Sequence, residues 1–265
     1  MLELNPFGRI VWNSNTIKTE WQNKLDAMQV LSAKAEYQVV KQGKKQVNVC
    51  HVPLHAFDKQ IQEITHDKLV SLPLSRSTVC SGFSDKRYTA ERFCMSRLVA
   101  RVVARDLETA QRFVAATEKA DYVAIGQLLG YPKCCCEARQ SWSNSGILDP
   151  CYEGAVKSEG SKIDELGVHV NVHPYVNSLL RYFGVKITPF FPCSFSCNEA
   201  IKVGETWLNV LKSIDKETAG VIKDLLEQPI SWSLFKGLIY VKTPFFKGVV
   251  KGYDCEVRKD IFANQ

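Results

Sequence analysis

Leu98-Val-Ala-Arg-Val-Val-Ala104, Asp106, and then Gly130-Tyr-Pro-Lys-Cys-Cys-Cys136 form the stretch from which the fold is read. The first seven residues are a nearly unbroken β-prone run, the pattern of a central strand buried on both faces. Asp106 suits a helix N-cap, and Leu107, Ala110, Phe113 and Val114 follow at helical spacing. A second, short helix is predicted from Asp121 to Leu129 and is stopped by Gly130. Strand, helix and helix thus deliver Cys134, Cys135 and Cys136 to a turn behind Pro132, where the chain enters another helix.

A second group of thiols is delivered in a similar way. Val185 to Phe191 is predicted as a strand running into Pro192-Cys-Ser-Phe-Ser-Cys197, with Ser196 and Glu199 as the capping box of a helix to about Ser213. Another helix is predicted from Lys216 to Glu227. Both thiol segments are therefore expected at helix N-termini, where unpaired amides and the macrodipole favour a thiolate over a thiol. Neighbouring side chains on a helix diverge by about 100°, so the three consecutive thiols do not all reach one small ion. The candidate metal ligands are Cys134, Cys135, Cys193 and Cys197, with Cys136 as a substitute ligand.

At these two segments the chain resembles an uncharacterised prokaryotic family, common in archaea, known as a domain of unknown function. The shared features are Ile125-Gly-Gln-Leu-Leu-Gly-Tyr-Pro-Lys-Cys-Cys135, a helix from Pro174 to Phe183 with Asn177 and Leu180, and Pro192-Cys-Ser-Phe-Ser-Cys197. The likeness covers roughly residues 98–210. It implies a shared site and names no chemistry. Cys136 adds a third thiol to the pair in the motif.

Upstream, Asn15 is expected to cap a helix to Lys34 with Ile17, Trp21, Leu25, Met28 and Leu31 on one face. Tyr37–Val40 and Gln46–Val52 alternate as strands, joined at Gln42-Gly43-Lys44 into a hairpin that holds Lys41, Lys44 and Lys45 in solvent. Residues 54 to 69 read as a helix, and Ser75 to Ser84 as a plain loop. Cys50, His51 and His55 lack a second cysteine at metal spacing, so ligation is not favoured there. Downstream, Ser143 to Gly160 reads as a loop, and residues 230 to 252 as two strands. The expected architecture is one α+β domain with a mixed sheet over residues 1–265. It has an N-terminal hairpin and helices over 1–97, the family-like core, and C-terminal strands over 230–265.

The whole composition agrees with a folded chain. With 265 residues, 45% of them hydrophobic and 23% charged, it can bury a core without disulfides. No apolar run approaches the roughly 18 residues of a membrane helix, and the first residues lack a signal-peptide pattern. A cytoplasmic protein with no membrane partner is expected, in which clustered thiols point to metal or catalysis. Cys50, Cys80, Cys94, Cys151 and Cys255 are assigned to packing. The net charge of +6 suits a small anionic substrate. Basic and aromatic residues interleaved over 230–265 fit nucleic acid less well than ordinary strands.

Four thiolates admit an iron-sulfur cluster or zinc. The cluster, of the 4Fe-4S type, is preferred, because adjacent cysteines are an awkward chelate for zinc and a cluster accepts ligands spread over several ångströms. With three thiolates ligating, one iron would be open for Lewis-acid chemistry or sulfur transfer. Gly167–His173 alternates, placing His169 and His173 on one face as candidate acid, base or remaining ligand. The rivals are a metal-free thiol or persulfide transferase and a zinc-stabilised binding module. No oligomeric state follows.

Overall fold

The computed structural model describes residues 8–12, 14–81, 84–89, 98–145, 150–164, 167–170, 172–178, 180–181, 185–227, 230–233, 238–241 and 246–251. The chain is α+β, as the sequence predicts, but every strand pairing described is antiparallel, and no mixed sheet forms among the described residues. A three-stranded sheet has the order β2 (Val47–Pro53), β6 (Leu98–Ala104), β3 (Val70–Pro73). The predicted central strand is indeed central. Ala100, Val102, Val103 and Ala104 are buried, with Val102 against α3 (Leu107–Lys119) and α4 (Tyr122–Leu128) and Val103 on the other face.

The largest departure is α1, which runs as one helix over Asn15–Lys41. Its stripe of Trp21, Leu25, Met28 and Leu31 is buried as expected, but Ala35, Val39 and Val40 continue it, so Tyr37–Val40 is helix and no hairpin forms. Gly43, at φ +72°, terminates the helix in a Schellman motif: the Lys44 amide donates to the Val39 carbonyl and the Gly43 amide to that of Val40. The glycine read as a hairpin turn is a helix stop, a role the same residue type signals equally well. Lys41 ion-pairs with Asp67, Lys44 is exposed, and Lys45 is buried.

Asp67 joins the end of α1 to the end of α2 (Phe57–His66), accepting from Lys41 Nζ at 2.7 Å and from the Tyr37 hydroxyl at 2.9 Å. The Lys41 and Tyr37 bonds hold its carboxyl below the usual carboxylate range. A carboxyl that is more acidic in the folded chain stabilises it above the unfolded value, and this contribution is lost as pH falls through the folded value. Asp67→Asn is therefore expected to lower the urea midpoint at pH 6 and to matter little at pH 2.5. An equal effect at both pH values would assign Asp67 a role other than charge.

Other segments also depart from expectation. Residues 75 to 84 are not a plain loop: β4 (Arg76–Ser81) pairs with β5 (Ser84–Thr89). The stretch assigned to a loop after Ser143 contains the helix α6, Pro150–Val156. Among the described residues of Pro174 to Phe183 no α-helix forms; Pro174–Val176 is a 3-10 turn, with Asn177 extended so that its Nδ2 can donate to the Leu226 carbonyl at 3.0 Å. Val185 to Phe191 is not a strand. Pro189 lacks the amide a ladder needs, and Val185, Ile187, Phe190 and Phe191 are all buried without alternation.

Residues 230 to 252 supply three strands rather than two: β9 (Ile230–Ser233), β10 (Leu238–Val241) and β11 (Phe246–Lys251). With β1 (Gly8–Trp12), β7 (Lys162–Asp164) and β8 (Gly167–Val170) they make a six-stranded sheet in the order β1-β11-β10-β9-β8-β7. The side chains of the basic and aromatic residues over 230–265 lie outside the described residues, as do those of Cys80, Cys94 and Cys255. The main core packs α1 against α7 (Asn198–Ile214) and α8 (Lys216–Leu226), through Trp207, Leu208, Leu211 and Ile222. No helix among the described residues is long and apolar enough to cross a membrane.

Candidate metal centre

The first thiol segment is set by the end of α4. Gly130 has φ +73° and closes a Schellman motif in which the Tyr131 amide donates to the Gly126 carbonyl at 2.9 Å. Tyr131 then stacks on Phe190 with ring centroids 4.7 Å apart. Pro132 is the N-cap of α5 (Lys133–Asn144), and its carbonyl accepts from the Cys135 and Cys136 amides, both at 3.0 Å. This puts Cys134 and Cys135 in the first turn, as the sequence predicts. Cys134 is exposed, whereas Cys135 is buried.

Cys136 faces away from the other two thiols. Its Sγ points to the Tyr131 carbonyl at 3.6 Å and lies so close to α4 that a Cβ on Gly126 would meet it at 2.4 Å. The glycine is there because a larger residue would displace the cysteine. The helical divergence of adjacent side chains thus decides which of the three thiols is excluded.

The second segment is a tight loop, with the Cys197 amide donating to the Ser194 carbonyl at 3.2 Å. Cys197, not Ser196, is the N-cap of α7, so the expected capping box does not form. Ser196 is used elsewhere: its hydroxyl accepts from the Glu159 amide at 2.9 Å. Phe195 anchors the loop in the main core, and its amide donates to Ser158 Oγ at 2.7 Å. Ser158 Oγ in turn donates to the Gly154 carbonyl at 2.6 Å. The end of α6 and the turn after it therefore fix where Cys193 and Cys197 stand.

The two segments meet in one group of sulfurs. Cys134 Sγ is 3.7 Å from Cys197 Sγ and 4.0 Å from Cys135 Sγ, and Cys135 Sγ is 4.0 Å from Cys197 Sγ. With Cys193 the four sulfurs lie within 4.8 Å of one another. The Cys193 amide donates to Cys135 Sγ at 3.4 Å, a bond that favours a thiolate there. Val176, Phe190 and Ala200 floor the group, so one side is apolar while Cys134 meets solvent.

The electrostatics divide the four unequally. Hydrogen bonds from the Cys135 and Cys193 thiols draw Cys197 down to about 2. The Cys193 and Cys197 sulfurs push Cys135 far up. Cys135 lowers Cys193, but Cys197 and burial outweigh it and push that thiol up to about 12. Burial and the Cys197 sulfur raise Cys134. The shared hydrogen bonds thus favour negative charge on Cys197, at the N-terminus of α7, over the other three thiols. A divalent cation among them would reverse that balance, because each further thiolate would then meet an opposite charge.

No other predicted site residue enters the group. His169 Nε2 is 3.1 Å from Asp164 Oδ2 across the β7–β8 pair. His173 caps the 3-10 turn, its Nδ1 accepting from the Tyr175 amide at 3.3 Å. Cys50 is half-buried, and burial pushes its thiol up to about 11, as suits a packing cysteine. Cys151 is buried beside Ser178. Gly126, Ser158 and Phe195 support the site and are not identified by the sequence reading. The positions of Gly126 inside the first motif and of Phe195 inside the second are the signals the sequence carries. No family model, curated protein or solved structure matches this chain.

Proposed function

We propose that the chain is a metalloprotein in which Cys134, Cys135, Cys193 and Cys197 hold one tetrahedrally coordinated ion, zinc, as a structural centre. The sulfur spacing carries this reading. Zinc–sulfur bonds of about 2.3 Å in a tetrahedron set the sulfurs about 3.8 Å apart; the Cys134, Cys135 and Cys197 sulfurs stand 3.7–4.0 Å apart, and all four lie within 4.8 Å. A four-iron cluster, preferred from the sequence, places each thiolate on a different iron and pointing outward, so its sulfurs stand well beyond contact distance. The two cysteine segments would have to move apart to hold one.

Adjacent cysteines count less against zinc once Cys134 and Cys135 occupy successive positions of a first helical turn, with sulfurs 4.0 Å apart. Four protein thiolates leave no position for a substrate, which is the pattern of a structural rather than a catalytic zinc. A tetrathiolate centre carries net negative charge, and the N-termini of α5 and α7 both favour it. Its role is to tie the start of α5 to the start of α7 across a sequence separation that hydrogen bonds alone bridge thinly. We further propose that the two motifs shared with the prokaryotic family are the signature of this centre. The reading uses neither His169 nor His173 as acid or base.

The test is metal and acid-labile sulfide per chain after purification without oxygen, followed by chelation. About one zinc, no sulfide, and loss of thermal stability on chelation are expected. Iron and sulfide in matching amounts would replace the reading with a cluster. Neither metal, with reactive thiols, would favour persulfide chemistry.

A further inference from the structure

The four sulfurs of the thiol group are not equally covered. Cys135 is buried, at 3% exposure, in a cluster with Val176, Phe190 and Ala200, and the half-buried Cys193 and Cys197 pack against the same cluster. Cys134 is outside that cluster and exposed, so a solute meets its sulfur first. Oxidation of a cysteine follows exposure and thiolate character, and it is reversible where a second cysteine stands close enough to resolve the first product.

Cys197 is placed as that second cysteine. Its Sγ lies 3.7 Å from Cys134 Sγ, closer than the 4.0 Å that separates either from Cys135 Sγ. Cys135 is a poor partner for Cys134, because adjacent Cα atoms stand about 3.8 Å apart across a trans peptide, below the roughly 4.4 Å at which a disulfide begins to fit. Both are also held in the first turn of α5, where the Cys135 amide donates to the Pro132 carbonyl at 3.0 Å. Cys197 comes from the other segment and carries no such constraint. Cys136 and Cys151 are kept out of any exchange, the first turned to the Tyr131 carbonyl and α4, the second buried beside Ser178.

We propose that Cys134 is a site of reversible oxidation by hydroperoxides, resolved by Cys197, through which the centre releases its ion. The inference rests on the zinc reading above. The Cys134 thiolate attacks one peroxide oxygen: the S–O bond of a sulfenic acid forms, the O–O bond breaks, and the other oxygen leaves as hydroxide. The Cys197 thiolate then attacks the Cys134 sulfur: the S–S bond forms, the S–O bond breaks, and a second hydroxide leaves. Two thiolates have given up two electrons, one peroxide has taken them, and the hydroxides take two protons from solvent. Only Cys135 and Cys193 then remain as thiolates, too few to hold the ion. The new bond ties the start of α5 to the start of α7 where the ion did, so one cross-link replaces another. A dithiol returns the two electrons and reopens the site.

The test treats the zinc-loaded full chain, purified without oxygen, with an equimolar amount of hydrogen peroxide. A chromophoric chelator too weak to strip the loaded chain reports free zinc, and mass spectrometry of a digest maps the sulfur bonds. About one zinc is expected per disulfide formed, the bond should join Cys134 to Cys197, and dithiothreitol followed by zinc should restore the loaded chain. Cys136→Ser should release zinc as the wild-type chain does. A chain that carries no zinc before peroxide is added overturns the metal reading and this inference with it. A loaded chain that keeps its ion, forms its disulfide elsewhere, stops at a sulfinic acid on Cys134, or needs Cys136 for release overturns this inference alone and leaves the metal reading in place.

Discussion

Cys135→Ser is expected to lower metal affinity by more than about 100-fold, because even the outer partners of metal ligands are worth 10- to 100-fold. Cys136→Ser, one residue on, is expected to leave it unchanged. Cys135 is the most deeply buried of the four sulfurs, at 3% exposure, and accepts the Cys193 amide. A serine hydroxyl there stays protonated at neutral pH and does not replace a thiolate. Cys136 is as buried, at 2%, but its sulfur is turned against Gly126 and the Tyr131 carbonyl. Burial and sequence position are thus nearly matched, and only direction differs. Competition against a chromophoric chelator gives the two affinities. Chelation should also lower the melting temperature of the wild-type chain and of Cys136→Ser, and leave that of Cys135→Ser where it is. Metal loss in Cys136→Ser with retention in Cys135→Ser would exchange their roles.

Phe195→Ala is expected to cost about 3–5 kcal/mol of folding stability, the range for deleting a buried aromatic ring. Phe195 is 1% exposed and belongs to the main core. A Cβ on Gly154 would come within 4.0 Å of its Cζ and 3.2 Å of the Pro192 carbonyl, so α6 leaves little room for the loop to shift. Phe195 also lies between the two ligands of its loop, and its amide bond to Ser158 sets the height at which both enter the group. Removing the ring should therefore misplace Cys193 and Cys197 as well as open a cavity. The urea midpoint measured with and without chelator separates these effects. The loss should be larger for the metal-loaded chain, which forfeits binding energy on top of packing. An equal loss in both states would make Phe195 a core residue with no hold on the centre.

The two experiments bear on different features of one design. The thiols of α5 are placed by local backbone geometry: the Gly130 stop, the Pro132 cap and the first turn that follows. The thiols of the second loop are placed at a distance, through Phe195, Ser158 and Gly154. The thiol group thus joins a half specified locally to a half specified by packing. The group of four sulfurs is where the two meet.

Much of this was legible in the residues alone. The helix starts at Asp106 and Asp121, the stop at Gly130 and the centrality of Leu98–Ala104 each depend on side chains within a few positions, and each formed as read. So did the assembly of Cys134, Cys135, Cys193 and Cys197, because helix N-termini gather thiolates and a helical turn spreads consecutive side chains. Where a local signal had two meanings, only tertiary contacts decided. Gly43 stops α1 instead of turning a hairpin because Val39 and Val40 are buried in the helical register and Tyr37 and Lys41 reach Asp67. Val185 to Phe191 stays irregular because Pro189 cannot join a ladder and the core takes its side chains on every side. The exclusion of Cys136 required the close approach of Gly126, and the sulfur spacing on which the single-ion proposal rests is a distance between segments some 60 residues apart. Composition and spacing along the chain carry ligand identity, whereas the separation of ligands in space is set by packing, and for a metal centre that separation distinguishes one ion from another.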